Sequence, residues 1–591
     1  MIILTDEQRA AIAEPGNVYL SACPGSGKTR VITAKLLLLA EGQIGSPRSI
    51  ACITYTNAAV DEIEDRLKQV GSRAILDSTH IRTVHSFCLQ YILRPYRWLA
   101  PDVPKAFRIL TRESHDFERL VTAVEDEIRR RIGPTTFEDY ASVGMGIDGE
   151  PFGQGLSKGV VTVKGAERLW QLMLAEGFID FSMILYFSYR LLRDHAFVAS
   201  GIAAKFKWIL VDEFQDTSAM QIEILRILSS FKRSGFFLVG DENQSIYGFA
   251  GAKPAVAAAF AVEVKCALNY ALSGNFRSGP KIVGVAETLI ARTPAMHSVG
   301  PAKAFTEPPI YVHVSDPKIA LTDYFLPWIA EQKIELGKCA VMAPWWTHLV
   351  PLAQHLRNLG VPVFGPGARP YQRRRAFAPL AEQLGACVEH EHLLGVPGVE
   401  KAVFALVQEA YGSTRFDIFS YEGRRTALSL VYEAKRIADL TPGGLAWLQQ
   451  MATAATQILI RDGWIPAEGQ QDLLRLSVDE METDMRRKSV DVANLTIADL
   501  GLFANPDKAI KLITLHHSKG REFDATALVC VNEGKIPHFS AQTQDEFDEA
   551  RRLFYVGVSR PKKLLLLASD QRDYRDRPSR YIGQCGMTVS A

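Results

Sequence analysis

One short stretch near the amino terminus reads Ala22-Cys23-Pro24-Gly25-Ser26-Gly27-Lys28-Thr29. Before it lies an apolar run, Asn17–Ala22, which predicts a buried strand. After it, Gly27–Glu41 has the i, i+3, i+4 apolar spacing of a helix. A glycine-rich turn that joins a strand to a helix is the setting of a P-loop, which binds nucleotide phosphates. We therefore expect a nucleotide-binding α/β unit.

The residue types in this turn match the chemistry of phosphate binding. Glycines allow backbone N–H groups to close around phosphate oxygens, and the positive end of the helix dipole favours an anion. The lysine can reach the β- and γ-phosphates, and the hydroxyl of the next residue can bind Mg²⁺. The predicted ligands in the turn are Gly25, Ser26, Gly27, Lys28 and Thr29.

A second signal is a pair of carboxylates at the end of a predicted strand. Trp208–Val211 is apolar, and Asp212 and Glu213 follow it directly. Ligands bind at the carboxyl ends of parallel strands. Asp212 can hold Mg²⁺ there, and Glu213 can orient or deprotonate the water that attacks a γ-phosphate.

Apolar strand-like runs alternate with helical patterns in two parts of the chain, which predicts two α/β cores with parallel sheets. The first series includes Ser49–Thr54. The second series starts near Pro309–Val314, continues at Cys339–Ala343 and, after a mostly helical stretch, resumes at Lys511–Thr514 and Thr526–Val531. Gly144–Gly159 is rich in glycine and predicts a flexible loop. The predicted segments are 1–110 and 178–272 for the first core, 111–177 for its helical insertion, 273–366 and 505–591 for the second core, and 367–504 for its helical insertion.

Composition excludes several classes of protein. Of 591 residues, 47% are hydrophobic and 23% are charged, so a wholly disordered chain is excluded. No apolar run reaches the roughly 18 residues that span a bilayer, and no secretory signal begins the chain, so we expect a cytoplasmic protein without a membrane partner. The eight cysteines form no CxxC pair and predict neither a zinc site nor a disulfide framework.

The carboxylate pair belongs to a longer stretch, Asp212-Glu213-Phe214-Gln215-Asp216-Thr217, which resembles motif II of the UvrD/Rep-type superfamily 1 DNA helicases. Other stretches resemble the remaining motifs of that family, in the family's order. They are Leu4-Thr5-Asp6-Glu7-Gln8 for the Q motif, Thr54-Tyr55-Thr56-Asn57 with Glu62 and Arg66 for motif Ia, Thr83-Val84-His85-Ser86-Phe87 for motif Ib, Val239–Tyr247 for motif III, Asn275-Phe276-Arg277-Ser278 for motif IV, Thr514–Phe523 for motif V and Arg551–Arg560 for motif VI.

This resemblance implies the fold and the cofactors. The two cores would be RecA-like P-loop domains, 1A and 2A, and the insertions would be 1B and 2B. The cofactors would be ATP and Mg²⁺. Around the nucleotide, Gln8 would read the adenine edge, Arg30 and Phe276 would flank the adenine ring, and Glu522 would contact the ribose.

The resemblance also implies the catalytic residues. Gln244 would sense the γ-phosphate. Arg277 and Arg560, both assigned by sequence to the second core, would act as arginine fingers that stabilise the charge of phosphoryl transfer from across a cleft. Hydrolysis would then report closure of that cleft. The predicted catalytic set is Lys28, Asp212, Glu213, Gln244, Arg277 and Arg560.

For nucleic acid, the resemblance points to a groove that binds a single strand by base stacking. Base–aromatic stacking is worth about 1–3 kcal/mol per base and demands no sequence. The basic runs Arg373–Arg375 and Arg486–Lys488 are further candidates for phosphate contact. The predicted DNA-binding residues are Tyr55, Thr56, Asn57, His85, Tyr247, Phe249 and His516.

The chain departs from the family on the DNA side. Motif Ia of the family has a lysine where this chain has Ala58. The arginine near the end of motif III is Ala250, and the basic residue after the strand Ala340–Ala343 is Pro344, followed by two tryptophans. Each lost cation removes one phosphate contact. The departures therefore predict that the chain alone hydrolyses ATP in response to single-stranded DNA but unwinds duplex DNA poorly.

These observations lead to two functional predictions. The first is an ATP-dependent 3′→5′ DNA translocase and helicase for DNA repair, recombination or defence, acting on single-stranded and 3′-tailed duplex DNA. The second is an ATP- and DNA-sensing regulatory subunit that serves a nuclease partner, because the compact build resembles the helicase-like subunit of Gabija-type phage-defence systems. About 30 residues follow motif VI, which disfavours a fused nuclease domain.

Overall fold

The computed structural model describes residues 4–112, 114–128, 134–248, 251–372, 375–389, 395–411, 420–466, 472–488, 490–572 and 577–588. The chain divides into two compact units. The first comprises Met1–Ala304 with Gln542–Tyr555, and the second comprises Phe305–Ala541 with Val556–Ala591. Each unit contains one six-stranded parallel sheet. The predicted α/β fold is confirmed.

The sheet of the first unit has the strand order β6-β1-β5-β4-β2-β3, and every neighbouring pair is parallel. Its strands are rich in apolar residues because both faces are covered by helices. All six carboxyl ends therefore lie at one edge. The strands are Val18–Ala22 (β1), Ser49–Thr54 (β2), Thr79–Thr83 (β3), Phe206–Val211 (β4), Gly235–Gly240 (β5) and Ala267–Leu272 (β6).

The helices of the first unit pack their apolar sides on this sheet and on one another. Side chains of Thr56 and Ser218 accept backbone N–H groups at two helix starts, which satisfies donors that have no partner inside the helix. The main helices are Asp6–Ala13, Lys28–Glu41, Asn57–Val70, Arg73–Ser78, His115–Glu127, Pro134–Ala141, Val163–Ala175, Phe181–Asp194, Ala196–Lys205, Ala219–Ser230, Pro254–Glu263, Pro280–Leu289 and the first part of Gln544–Val558.

The glycine-rich segment 144–159 is ordered, so the prediction of a flexible loop there is wrong. Val143–Met145 pairs antiparallel with Pro151–Gly153, and a short helix, Gln154–Ser157, follows. The glycines serve close backbone approach: a Cβ on Gly153 would lie 2.1 Å from the Ser142 carbonyl oxygen. The predicted insertion 111–177 shares one continuous apolar core with the first sheet.

The sheet of the second unit has the order β7-β12-β11-β8-β10-β9, again with every neighbouring pair parallel. The predicted strand Thr526–Val531 begins and ends three residues earlier in the structure. The strands are Ile310–Val314 (β7), Cys339–Ala343 (β8), Val363–Phe364 (β9), Ile510–Thr514 (β10), Phe523–Leu528 (β11) and Pro561–Asp570 (β12).

The long interruption between β9 and β10 is helical, as the pattern predicted. It has an apolar core of its own, centred on Trp447, whose indole N–H donates to the Ala434 carbonyl at 3.0 Å. The helices of the second unit are Leu326–Glu331, Trp346–Asn358, Ala378–Glu389, Val396–Tyr411, Tyr421–Leu440, Gly444–Arg461, Leu473–Arg487, Ile497–Gly501 and Arg580–Gln584.

The sequence assigned residues 273–304 to the second core, whereas the structure places them in the first unit. The reason is β6, which pairs with β1 and which the sequence pattern did not reveal. The chain leaves β6 beside the P-loop, and the Ser273 backbone N–H donates to Glu7 at 3.0 Å. How the chain divides into 1A, 1B, 2A and 2B stays a prediction.

Two further expectations concern membranes and cysteines. Among the residues described, the helices include none long and apolar enough to cross a bilayer. All eight cysteines are buried and free.

Candidate nucleotide site and strand-binding surface

The P-loop emerges from β1 and ends where the helix Lys28–Glu41 begins. Gly25 and Gly27 have φ angles of +68° and +80°, a region that favours glycine. A Cβ on Gly25 would lie 2.6 Å from the Cβ of Arg277, so this position admits no side chain. The predicted glycine roles thus have a backbone reason in the structure.

Gln8 lies against this loop. Its side chain is buried and donates from Nε2 to the Ser26 carbonyl at 2.9 Å, while its Oε1 accepts the Thr5 N–H at 3.0 Å. Gln8 therefore ties the first helix to the P-loop. Nearby, the Arg30 guanidinium lies 5.6 Å from the centroid of the Phe276 ring, so the two residues expected at the adenine lie side by side.

The carboxylate pair follows β4 at the same edge. Lys28 Nζ lies 3.4 Å from each carboxylate oxygen of Glu213. Glu213 has a φ of 49°, which is unusual for a residue with a Cβ and marks a strained turn. Burial and the charge of Glu213 raise the pKa of Asp212 to about 7, and Lys28 opposes that rise. Lys28, Asp212 and Glu213 are thus brought together as the sequence predicted.

The donor set suits Mg²⁺. Mg²⁺ takes oxygen ligands and is usually held by one or two carboxylates together with substrate phosphates. Asp212 is buried beside the charge of Glu213 and has a raised pKa, so a divalent cation bound there would relieve the repulsion between the two carboxylates. Asp212 and the hydroxyl of Thr29 would hold the ion, which would neutralise charge on the phosphates.

The raised pKa of Asp212 has a measurable consequence. A carboxyl group with a higher pKa in the folded than in the unfolded state binds its proton more tightly when folded, so its contribution to stability falls as pH rises from about 4 through about 7. We expect Asp212→Asn, without nucleotide, to unfold at a higher temperature than wild type at pH 8, with a smaller difference at pH 5. Thermal scans at both pH values measure this difference.

The control for that prediction is Asp65→Asn, which changes an exposed aspartate on the helix Asn57–Val70. It should leave the difference between the two pH values as in wild type. If Asp212→Asn is less stable than wild type at pH 8, burial of this carboxylate is not the dominant effect. The same variant should lack ATPase activity.

The loop after β5 carries Gln244. Its Nε2 donates to Asp241 Oδ2 at 2.7 Å, and the Asp241 backbone N–H donates to Gln215 Oε1 at 2.9 Å. Gln215 in turn donates to Glu213 Oε2 at 2.5 Å. The predicted γ-phosphate sensor and the predicted catalytic carboxylate therefore belong to one hydrogen-bonded network.

Arg277 lies beside the P-loop within the first unit, not in the second core as the sequence predicted. The Phe276 N–H donates to the Gly25 carbonyl at 2.8 Å. Asn275 Oδ1 accepts the backbone N–H groups of Arg277 and Ser278 at 2.8 and 2.9 Å, which fixes the turn. Arg277 is thus placed at the phosphate loop by its own segment of backbone.

Arg560 and Glu522 belong to the second unit. The Arg560 side chain is buried and donates to the Val556 carbonyl and to Ser559 Oγ, both at 2.9 Å. Glu522 is exposed and lies 3.6 Å from Lys562 Nζ. Glu522 lines a pocket of about 500 Å³ together with Lys511 and Arg521. The roles of Arg560 and Glu522 at ATP stay predictions.

Tyr55 and Tyr247, the aromatic residues expected to stack on bases, stack on each other. Their ring centroids are 5.3 Å apart and the ring planes differ by 17°. Tyr55 is 38% exposed, and Thr56 and Asn57 beside it are also exposed. Phe249 lies outside the described residues. Tyr55, Thr56, Asn57 and Tyr247 therefore lie together at the surface of the first unit. We call these four residues the strand-binding surface, after their predicted role.

The two histidines predicted to meet DNA carry no charge at neutral pH. Burial lowers the pKa of His85 to about 4, and its ring packs edge-on against Phe181 at 5.1 Å. Burial and the charge of His517 lower the pKa of His516 to about 4. Neither ring supplies a cation for a phosphate.

Two cations of the basic runs Arg373–Arg375 and Arg486–Lys488 bind groups of the protein itself. Arg375 donates to both carboxylate oxygens of Asp484, at 2.8 and 2.9 Å, and Lys488 Nζ donates to the Arg369 carbonyl at 3.0 Å. Arg375 and Lys488, which the sequence offered as candidates for phosphate contact, instead bind groups within the helical insertion and hold it together. Arg373 and Arg374 lie outside the described residues.

Sequence reasoning missed one charged residue at the site. Arg292 donates from Nη1 to Asp241 Oδ1 at 2.6 Å, and both side chains are buried. Arg292 lies outside every motif named in the sequence analysis, so no local pattern predicted a role for it.

Comparisons with known proteins agree with this geometry. The model of the UvrD/REP helicase N-terminal domain matches residues 4–144 and 155–265, and that of the UvrD-like helicase C-terminal domain matches residues 477–572. Similar proteins include DNA helicase II of Haemophilus influenzae, 26% identical over 98% of this chain and 86% of its own length. ATP-dependent DNA helicase Rep of Escherichia coli is 24% identical over 98% of this chain and 93% of its own length. The chain belongs to the UvrD/Rep helicase family.

Proposed function

We propose that this chain is an ATP-dependent DNA helicase that moves 3′→5′ along single-stranded DNA and hydrolyses ATP as it moves. Membership of the UvrD/Rep family supports the activity. The 3′→5′ direction and the preference for a single strand rest on the motif resemblance. Action on 3′-tailed duplexes in repair, recombination or defence belongs to the same proposal, as does a cytoplasmic location.

One observation carries the ATPase part of the proposal. At the carboxyl edge of the first sheet, Lys28 lies 3.4 Å from Glu213, and a chain of hydrogen bonds joins Glu213 to Gln244. Arg277 is packed against Gly25 at the same loop. A phosphate clamp, a base for water, a metal-binding carboxylate and an arginine are the parts that phosphoryl transfer needs.

A small cavity connects this edge with the strand-binding surface. Tyr55, Asp212 and Glu213 line the same cavity of about 30 Å³, which is large enough to hold a water molecule. A base stacked on Tyr55 would therefore lie one cavity away from the metal-binding carboxylate. This proximity gives DNA binding a short physical route to the hydrolytic site.

The strand-binding surface holds phosphates weakly. Ala58 is exposed in the first turn of the helix Asn57–Val70, where the family has a lysine. His85, in the same unit, is neutral and does not compensate. In the second unit, Pro344 is buried and His516 is neutral. We propose that stacking on Tyr55 and Tyr247 holds single strands, while unwinding by the chain alone is poor at physiological salt. A nuclease-containing partner complex would supply the missing grip.

We expect Ala58→Lys to strengthen single-strand binding and raise unwinding, because it adds one phosphate contact at an exposed position. The dependence of log Kd on log salt should steepen by about 0.7. Binding titrations at several salt concentrations and strand-displacement rates measure the two effects. Ala58→Gln is the matched neutral control. An equal gain with glutamine, or no gain with lysine, contradicts the proposal.

The experiment that tests the ATPase proposal is ATP hydrolysis by the purified chain with no nucleic acid, with single-stranded DNA, with single-stranded RNA and with blunt duplex. We expect single-stranded DNA to give the largest stimulation. Glu213→Gln, which keeps the size of the side chain and removes its charge, should abolish the stimulated rate. Equal stimulation by RNA, or none by DNA, overturns the assignment of the substrate.

A further inference from the structure

Arg292 is held in a fixed position by its own loop. It follows the helix Pro280–Leu289, and Glu287 near the end of that helix accepts two backbone N–H groups of the loop. These are the N–H groups of Arg292 at 3.1 Å and of Met296 at 2.8 Å. The loop therefore presents the arginine from a rigid turn, and its side chain is only 8% exposed.

The Arg292 guanidinium orients the side chain of Asp241. Nη1 donates to Oδ1 at 2.6 Å, and Asp241 is 1% exposed. The other carboxylate oxygen, Oδ2, accepts Gln244 Nε2 at 2.7 Å. A charge-assisted hydrogen bond of this kind is short and directional. The Asn243 backbone N–H donates to the same Oδ1 at 3.1 Å. Arg292 therefore supplies the charged part of the contact that sets the rotation of the Asp241 carboxylate and, with it, the position of the Gln244 amide.

A third residue faces the same ion pair. Tyr555 is fully buried near the end of the helix Gln544–Val558. Burial and the charge of Asp241 raise the pKa of Tyr555 above its ordinary value, and Arg292 opposes that rise. Burial also raises the pKa of Cys23 in the P-loop to about 12, and Arg292 opposes that rise as well. Arg292 is thus near the P-loop, the loop after β5 and the sequence stretch that resembles motif VI.

We propose that Arg292 is a positioning residue for ATP hydrolysis, acting through Asp241 on the side chain of Gln244. This inference rests on the proposed ATPase function. Asp241 is bound to Gln215 through its backbone N–H, whereas its carboxylate accepts Arg292, Gln244 and, at 3.1 Å, the backbone N–H of Asn243. Loss of Arg292 therefore removes the only charged group that the structure shows bound to the Asp241 carboxylate among the described residues. This loosens the hold of Asp241 on Gln244 without breaking the backbone contact that leads to Glu213.

The first test is kinetic. We expect Arg292→Met to lower the DNA-stimulated kcat by about tenfold to a hundredfold, as displacements of about 1 Å do, with KM for ATP within about twofold of wild type. Arg292→Lys should recover part of the rate, because an ammonium group can still donate to Asp241. Arg226→Met is the control: Arg226 pairs with Glu263 at the surface of the same unit, so its loss should leave kcat unchanged.

The second test separates positioning from general support of the fold. If Arg292 acts through Gln244, the Arg292→Met change should cost less than about twofold when it is made in a Gln244→Ala chain, because nothing remains to be positioned. If Arg292→Met does not fold, the same cycle with Arg292→Lys is decisive, since its loss of rate must vanish in the Gln244→Ala chain too.

Three results have distinct meanings. A wild-type rate in both Arg292 variants, or losses that multiply with that of Gln244→Ala, overturns the positioning role while the ATPase proposal stands. Absence of DNA-stimulated hydrolysis in the wild-type chain overturns the proposed function itself. A loss confined to chains that retain Gln244 supports the inference.

Discussion

We expect the Lys28→Ala chain to hydrolyse ATP at least about a thousandfold more slowly than wild type, while its fold is retained. Lys28 begins the helix after β1 and lies 3.4 Å from both carboxylate oxygens of Glu213. Its charge would meet the phosphates of ATP, and preorganised electrostatic contacts to the transition state are worth several kcal/mol. Steady-state ATPase assays with single-stranded DNA measure the loss.

This prediction needs a check that the variant folds and a matched control variant. Circular dichroism and thermal unfolding show whether the variant folds, since Lys28 forms a partly exposed pair whose removal changes stability little. Lys68→Ala is the matched control, because Lys68 is an exposed lysine on the helix Asn57–Val70. Retention of more than about a tenth of the wild-type turnover by Lys28→Ala would show that this loop is not the phosphate clamp.

The second large effect concerns the two arginines. Arginine fingers are worth about 10³–10⁵ in rate, so we expect Arg277→Ala and Arg560→Ala each to lower kcat by about a thousandfold and to change KM for ATP far less. The reason is that a guanidinium stabilises the charge that develops in the transition state more than it stabilises bound ATP. Steady-state kinetics over a range of ATP concentrations separate the two parameters.

The structure makes the two arginines unequal. Arg277 is held beside Gly25 by its own backbone, so it is in place before any rearrangement. Arg560 donates to Val556 and Ser559 within its own unit, and to act as a finger it would have to exchange those bonds for phosphate oxygens. Arg436→Ala, at an exposed pair with Glu433, is the control for loss of an arginine. An unchanged kcat with a raised KM in either variant would refute the finger role for that residue.

The elements with strong apolar patterns were predictable from sequence. The strand Ser49–Thr54 and the strand Cys339–Ala343 have the predicted bounds, because apolar runs between polar turns leave little freedom in where a buried strand ends. Thr79–Thr83 was not predicted. Ile81 is the one apolar residue among its five, and no glycine or proline flanks it, so the sequence has no strand pattern there and pairing with the neighbouring strand makes it a strand.

Two interpretations of the sequence failed because they depend on contacts between residues that are not neighbours along the chain. The glycines at 153 and 155 suggested flexibility, but each is required where one backbone approaches another closely. Arg375 belonged to a basic run that suggested a phosphate contact, yet Asp484, more than 100 residues away, accepts its hydrogen bonds. A partner that distant leaves no local trace in the pattern of charges.

At the candidate site, too, residues within local motifs were predictable from sequence, whereas positions set by tertiary contacts were not. Gly25, Lys28, Asp212 and Glu213 were found because each lies within a short motif whose chemistry requires those residue types. Arg292 was missed because its role depends on the position of its loop beside Asp241, which no local spacing encodes. The placement of Arg277 in the first unit depended on β6, whose pairing with β1 is a tertiary contact.

The most direct test of the helicase assignment is strand displacement by the purified wild-type chain on duplexes with a 3′ tail and with a 5′ tail, at low salt and with Mg²⁺ and ATP. We expect displacement of short duplexes with the 3′ tail only, and none with Glu213→Gln. Displacement that prefers the 5′ tail, that is equal on both substrates, or that persists in Glu213→Gln would contradict the account.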